Sequence, residues 1–157
     1  MKTAVILATT GTVAAAAFLG FVAGPAVHDW YEGRHQESAT YATGTAAKEA
    51  RPSVPRWLPD TARTISYSMK TTGGDRLIKA TLPASSTPAS LPPTCKKLDH
   101  PAAPADLSLQ ASWFPKDARN KPTHRCDLYY AYTDGDTLYA WQLNDDWIAS
   151  NKAAAGH

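Results

Sequence analysis

The chain has 157 residues and a formal net charge of only +2, from 16 Lys plus Arg against 14 Asp plus Glu. This near balance, without a basic stripe, excludes the electrostatic footprint of a nucleic-acid-binding protein. The part rich enough in apolar residues to form a core begins near residue 55, which leaves roughly a hundred residues, the size of one small domain.

The first segment is apolar. Residues 4–27 contain no charged side chain, and Lys2 precedes them. About 20 apolar residues suffice to span a membrane as a helix, and the preceding positive charge places the N-terminus in the cytosol. We therefore expect residues 1–28 to be a transmembrane anchor in the cell membrane, with the C-terminal domain outside. The alternative is a signal segment that is cleaved to release a secreted protein, although its cleavage-site pattern is poor.

The composition of the next segment, residues 29–54, predicts a flexible linker. It is rich in Ala, Thr, Ser and Gly and has few branched apolar residues, so burial cannot offset the entropy lost on ordering. Trp57 and Leu58 are the first large apolar pair after this linker. We expect the folded domain to span residues 55–152 and the remaining residues, 153–157, to form a disordered tail.

Two alternating segments follow. Ile65, Tyr67 and Met69 alternate with polar residues, and a similar pattern ends at Leu82 after a glycine-containing turn. This arrangement predicts a β-hairpin.

A proline-rich stretch comes next. Six prolines occur from Pro83 to Pro104. They exclude a helix or a central strand and predict a long rigid loop. Alternating apolar residues from Leu107 to Trp113 then predict a short strand, with a short helix as the alternative.

The clearest predicted element is a second hairpin between Cys126 and Asn144, with Asp134-Gly135 as its two-residue turn. That turn would place Tyr130 opposite Tyr139 and Leu128 opposite Trp141. One face would then carry an aromatic ladder, which we define as Tyr130, Tyr132, Tyr139 and Trp141. Such residues form either a binding surface or the core of a small β domain. Asp145-Asp146 are expected to cap a short final helix.

The two cysteines, Cys95 and Cys126, predict a disulfide, because an exported chain matures under oxidising conditions. The alternative is a catalytic thiol at Cys126, with His124 two residues away. The fold expected from these patterns is α+β and mainly β: a small antiparallel sheet domain with one disulfide, behind the N-terminal membrane or signal helix.

Motifs for catalysis, cofactors or metals are not expected. The five histidines lack ligand spacing, and no nucleotide or nucleophile-elbow motif occurs. We therefore expect no catalytic, cofactor-binding or metal-binding residue, and no cofactor. The sequence favours a non-enzymatic module that binds a protein or cell-envelope component; the alternative is a small envelope hydrolase with Asp and His groups assembled by the fold.

The pattern Pro59-x-x-Ala62-x-x-Ile65-x-Tyr67, followed by a glycine turn and a second strand, resembles the outer domains of small uncharacterised membrane-anchored or secreted proteins of actinobacteria. Leu138 to Trp141 is similar too, and the likeness covers roughly residues 55–145. The resemblance implies a small sheet domain outside the membrane. It carries over no active-site residue.

Overall fold

The computed structural model describes residues 35–83, 91–101 and 105–156. The predicted anchor or signal segment, residues 1–28, lies outside the described residues. Within the described ranges, none of the helices has the length and apolar character of a membrane span.

The described chain forms a seven-stranded antiparallel sheet with two helices, which confirms the mainly β prediction. The order across the sheet is β1-β2-β3-β7-β6-β5-β4. The strands are β1 Gln36–Thr43, β2 Arg63–Lys70, β3 Arg76–Thr81, β4 Lys96–Lys97, β5 His124–Cys126, β6 Tyr129–Asp134 and β7 Thr137–Gln142; the helices are α1 Gly44–Ala50 and α2 Asn144–Ala155.

The prediction of a flexible linker is wrong from Gln36 onward. Strand β1 pairs with β2 along its length, and the compact unit begins at Gln36. Small residues in this stretch permit close packing: Ala47 is fully buried, and a side chain at Gly44 would collide with the backbone oxygen of Pro59. Thr43 caps α1 by accepting a hydrogen bond from the amide of Ala46 at 3.2 Å.

The first predicted hairpin is present as β2 and β3. The second is present as β6 and β7, but its turn is Gly135-Asp136, so that Tyr132 faces Tyr139 and Tyr130 faces Trp141. Gly135 has a φ of +59°. Glycine therefore occupies the first central position of the turn, as in a type II′ hairpin, instead of the second. The register differs by two residues from the prediction, which leaves every side chain on its expected face.

Both faces of the sheet are covered by other parts of the chain. On the helical face, α1 and the segment that follows it pack on β2, β3 and β7 through a cluster that includes Ala47, Leu58, Ile65, Tyr67 and Ile78. On the other face, which we call the aromatic face, the segment 105–120 packs on β3, β6 and β7 through a cluster that includes Leu109, Phe114, Leu77 and Trp141.

The segment 107–113 is neither the predicted strand nor the alternative helix. It follows an irregular path with turns such as the one closed by the hydrogen bond from the Phe114 amide to the Ala111 oxygen, at 3.0 Å. Its apolar residues anchor it to the aromatic face without pairing to a strand. The predicted disordered tail is also partly wrong, because α2 continues to Ala155.

Candidate functional site

The predicted disulfide is confirmed: Cys95 and Cys126 are bonded, with their Cα atoms 4.2 Å apart. The bond ties the proline-rich loop to β5. It also leaves Cys126 without a free thiol, so the alternative of a catalytic cysteine beside His124 is wrong. The Nδ1 atom of His124 instead lies 2.8 Å from the hydroxyl of Thr123.

The aromatic ladder lies in the core of the aromatic face. Trp141 is fully buried, Tyr130 and Tyr132 are buried, and Tyr139 is half-buried. The ring of Tyr130 stacks on that of Trp141 with 5.8 Å between the ring centres, and the ring of Tyr132 stacks on that of Tyr139 with 5.2 Å between the centres. Phe114 covers the ladder edge-on. The structure thus places the ladder under segment 105–120 and not on an open surface.

Burial raises the pKa values of two ladder tyrosines, Tyr130 and Tyr132. It raises the pKa of Tyr132 to about 12, with the nearby Tyr139 adding to the effect. The pKa of Tyr130 is also raised by burial, against the influence of Arg125, whose guanidinium lies 4.0 Å from the ring centre. These phenols remain protonated at neutral pH and serve packing.

A cavity of about 370 Å³, which we call the apolar cavity, lies in segment 105–120. Leu107, Leu109, Ala111 and Phe114 supply apolar lining, and Asp106 and Arg119 form an ion pair beside it. Ligand pockets for small molecules are commonly concave, largely apolar and of about 300–1,000 Å³. The cavity can therefore accept an apolar group while polar side chains orient it.

A second cavity, of about 340 Å³, lies where β3 and β7 meet the segment 52–56 and the start of α2. We call it the cationic cavity, because the arginines Arg56 and Arg76 both line it. Tyr129 and Trp147 provide aromatic lining, and Asp127 is the acidic residue among the lining side chains. Burial holds the pKa of Tyr129 well above its ordinary value.

One buried carboxylate positions the elements around the cationic cavity. Asp75 accepts hydrogen bonds from the amide of Asn144 at 3.1 Å and from the hydroxyl of Ser108 at 2.7 Å. The Asn144 side-chain oxygen in turn accepts a hydrogen bond of 2.8 Å from the amide of Gly74. Asp75 thereby joins the turn before β3, the start of α2 and segment 105–120.

Sequence analysis gave no indication of Arg56, Arg76 or Asp75 as functional residues. Each follows a proline or glycine turn and belongs to no motif. The proximity of Asp75 and Arg76 to Asn144 and Trp147, about 70 residues later in the sequence, depends on the pairing of β3 with β7. Only a correct strand order could have suggested it.

Neither the apolar nor the cationic cavity places a histidine beside an aspartate, the arrangement that the hydrolase alternative requires. His100 is exposed, and neither it nor His124 lines the apolar or the cationic cavity. No group of three or more potential metal ligands occurs among the described residues.

Comparison with known proteins does not extend this picture. No protein-family model matches the chain, and neither the curated proteins nor the solved structures give a significant match.

Proposed function

We propose that the chain is a non-enzymatic binding module of the cell exterior, held at the membrane or secreted, which takes an apolar group of a protein or envelope ligand into the apolar cavity. The disulfide supports the exterior placement, because such bonds persist in oxidising compartments. The uncharged segment 4–27 supports the membrane as a partner.

The observation that carries the proposal is the construction of the apolar cavity. Its lining comes from one irregular segment, 106–119, which is fixed to a rigid sheet through the buried side chains of Leu109, Phe114 and Ala118. Binding residues are commonly carried on loops that a rigid scaffold positions. The cavity also combines apolar walls with exposed polar residues such as Gln110 and Ser112 that can set the orientation of a ligand.

Site-specific photo-crosslinking in intact cells tests the proposal. A photoreactive amino acid at Ser112 lies at the cavity, whereas one at Asn151, exposed on α2, is the matched control. We expect a discrete envelope adduct from Ser112 that is absent from Asn151. Adding Ala111→Trp, which fills the cavity, should abolish the adduct while the disulfide and the thermal unfolding transition persist.

Two results would contradict the proposal. One is equal crosslinking from Ser112 and Asn151, and the other is an adduct that survives Ala111→Trp. The mass of the mature N-terminus, measured in the same cells, separates an anchor from a cleaved signal. Recovery of the chain in the cytosol with Cys95 and Cys126 reduced would refute the exterior placement.

A further inference from the structure

The ion pairs of the described residues divide the arginines into two groups. Arg51, Arg119 and Arg125 each pair with a carboxylate. Arg56, Arg63 and Arg76 form no ion pair with a described residue. Two of these three, Arg56 and Arg76, line the same cavity. A cavity that gathers two guanidinium groups without pairing either one to a carboxylate has the composition of an anion site.

The Arg76 side chain is fixed in place. Its Nη1 atom donates to the backbone oxygens of Gly73 at 2.8 Å and Asp75 at 2.9 Å, and makes a longer contact of 3.4 Å to that of Lys70. We find no hydrogen bond from Nε or Nη2 to a described residue. One edge of the guanidinium is thus used for position, which leaves donors for an oxyanion, since the planar fork can bind carboxylate or phosphate through two parallel bonds.

The other cationic group, Arg56, is exposed and forms no hydrogen bond or ion pair with a described residue. It can therefore turn toward a ligand without breaking a hydrogen bond or ion pair to a described residue. Asp127, which is exposed, also lines the cavity. It offsets one of the two positive charges, so the lining has a net charge of about +1.

Trp147 adds a flat apolar wall. Trp147 lies near the start of α2 and packs against Gly74. A β-carbon at position 74 would collide with the Trp147 side chain. The residue is nevertheless 37% exposed and lines the cationic cavity. A ring or other apolar group attached to the anion could pack on this indole while the anion meets the arginines.

We propose that the cationic cavity is an oxyanion site, which binds a phosphate or carboxylate group of an organic ligand whose flat or apolar part packs on Trp147. The site is distinct from the apolar cavity, and its lining comes from other parts of the chain. It does not depend on the proposed function.

Binding is measured by titrating the full chain, isotope-labelled and held in non-ionic detergent, at constant ionic strength. The probes are inorganic phosphate, phenyl phosphate and benzoate, with chloride as the reference anion. The side-chain Nε–H signals of Arg56 and Arg76 and the indole N–H of Trp147 should shift together and saturate. Phenyl phosphate should bind more tightly than inorganic phosphate because only the former reaches the indole.

Three variants separate the site from general charge effects. Arg56→Gln should weaken phenyl phosphate binding about tenfold, the loss expected for one charge-assisted contact, without altering the fold. Arg63→Gln removes the same charge from an exposed site on β2 and should change the affinity less than twofold. Arg76→Lys keeps the charge but not the fork, and should also weaken binding.

The results also distinguish the ligand class. Tighter binding of phenyl phosphate than of benzoate assigns a phosphate ester, and the reverse order assigns a carboxylate. Equal affinity for inorganic and phenyl phosphate would refute the role of Trp147. Shifts that do not saturate, or equal weakening by Arg56→Gln and Arg63→Gln, would overturn the oxyanion site itself. None of these results bears on the crosslinking at Ser112.

Discussion

Asp75 is the side chain whose loss should most affect the C-terminal helix. It is only 7% exposed, and it accepts a hydrogen bond from the first amide of α2, that of Asn144. Asp75 thereby takes the place of a side-chain cap, which the N-cap residue Leu143 cannot provide. Loss of a helix cap costs about 0.5–2 kcal/mol, and a hydrogen bond to a charged group contributes about 1.5–3 kcal/mol. Ser108 is exposed, so its hydroxyl can turn to water. We therefore expect Asp75→Ala to lower the free energy of unfolding by about 2–3 kcal/mol.

This destabilisation should be concentrated in one part of the molecule. None of the residues in α2 is buried, so the helix depends on its first turn for attachment. Hydrogen exchange in Asp75→Ala should accelerate across α2 more than in the central strands, and urea unfolding gives the global cost. The control is Asp134→Ala, at the exposed end of β6. A loss below ~0.5 kcal/mol, or equal acceleration in the strands, would refute the capping role of Asp75.

Three further changes test the packing. Reducing the disulfide, or replacing both Cys95 and Cys126 by Ser, should cost about 3–4 kcal/mol in urea unfolding, because the bond closes a loop between residues 31 apart; a loss under ~1 kcal/mol would contradict this. Gly44→Ala should cost about 1–3 kcal/mol because its β-carbon meets a backbone oxygen, whereas Gly156→Ala, which has room, should be nearly neutral in the same assay. Burial raises the pKa of Tyr132 from near 10 to about 12, so the folded state retains a proton that the unfolded state releases. The thermal transition should therefore fall as the pH rises from about 10 to 12, less steeply in Tyr132→Phe, and a phenol that titrates at its ordinary pKa would contradict this.

The hairpins were predictable because their determinants are local. Alternation of apolar and polar residues identified β2, β6 and β7, and the Asp-Gly-Asp segment located the second turn to within one residue. What local sequence left open was whether Gly135 would take the first or the second central position. The aromatic face was correct in either register, since a shift of two residues preserves the side on which Tyr130 and Trp141 lie.

The edge strand was missed for a physical reason. Sequence composition predicts order where branched apolar side chains can be buried, whereas β1 is held mainly by backbone pairing and polar contacts. Ser38 and Ser68, for example, meet at 3.0 Å between their hydroxyl oxygens. The neighbouring α1 packs through a glycine and an alanine, and composition alone does not distinguish small residues in close contact from small residues in a linker.

The two candidate sites were beyond sequence reasoning for different reasons. The apolar cavity arises from an irregular path between Asp106 and Arg119, within which the alternating residues 107–113 predict a strand. The cationic cavity depends on the adjacency of β3 and β7, which brings Arg76 close to Trp147. Neither arrangement leaves a periodic signal in the sequence.

The turn before β3 connects the stability of α2 to the proposed oxyanion site. The backbone oxygens of Gly73 and Asp75 accept hydrogen bonds from the Arg76 guanidinium. The Gly74 amide donates to the Asn144 side chain, and Trp147 packs on Gly74. A ligand that binds only this folded arrangement must stabilise it, so phenyl phosphate should slow hydrogen exchange in α2.

The same connection predicts the sign of a second effect. Asp75 does not line the cationic cavity, so it can act on a bound anion through its charge or by positioning the turn. If charge alone acts, removing this negative charge should strengthen anion binding. If Asp75 acts by positioning, Asp75→Ala should weaken the binding of phenyl phosphate, because both Arg76 and Trp147 lose the geometry of the turn. Titrating this variant, with Asp134→Ala as the control for loss of one negative charge, decides between the two. Tighter binding by Asp75→Ala would show that the turn does not set the site.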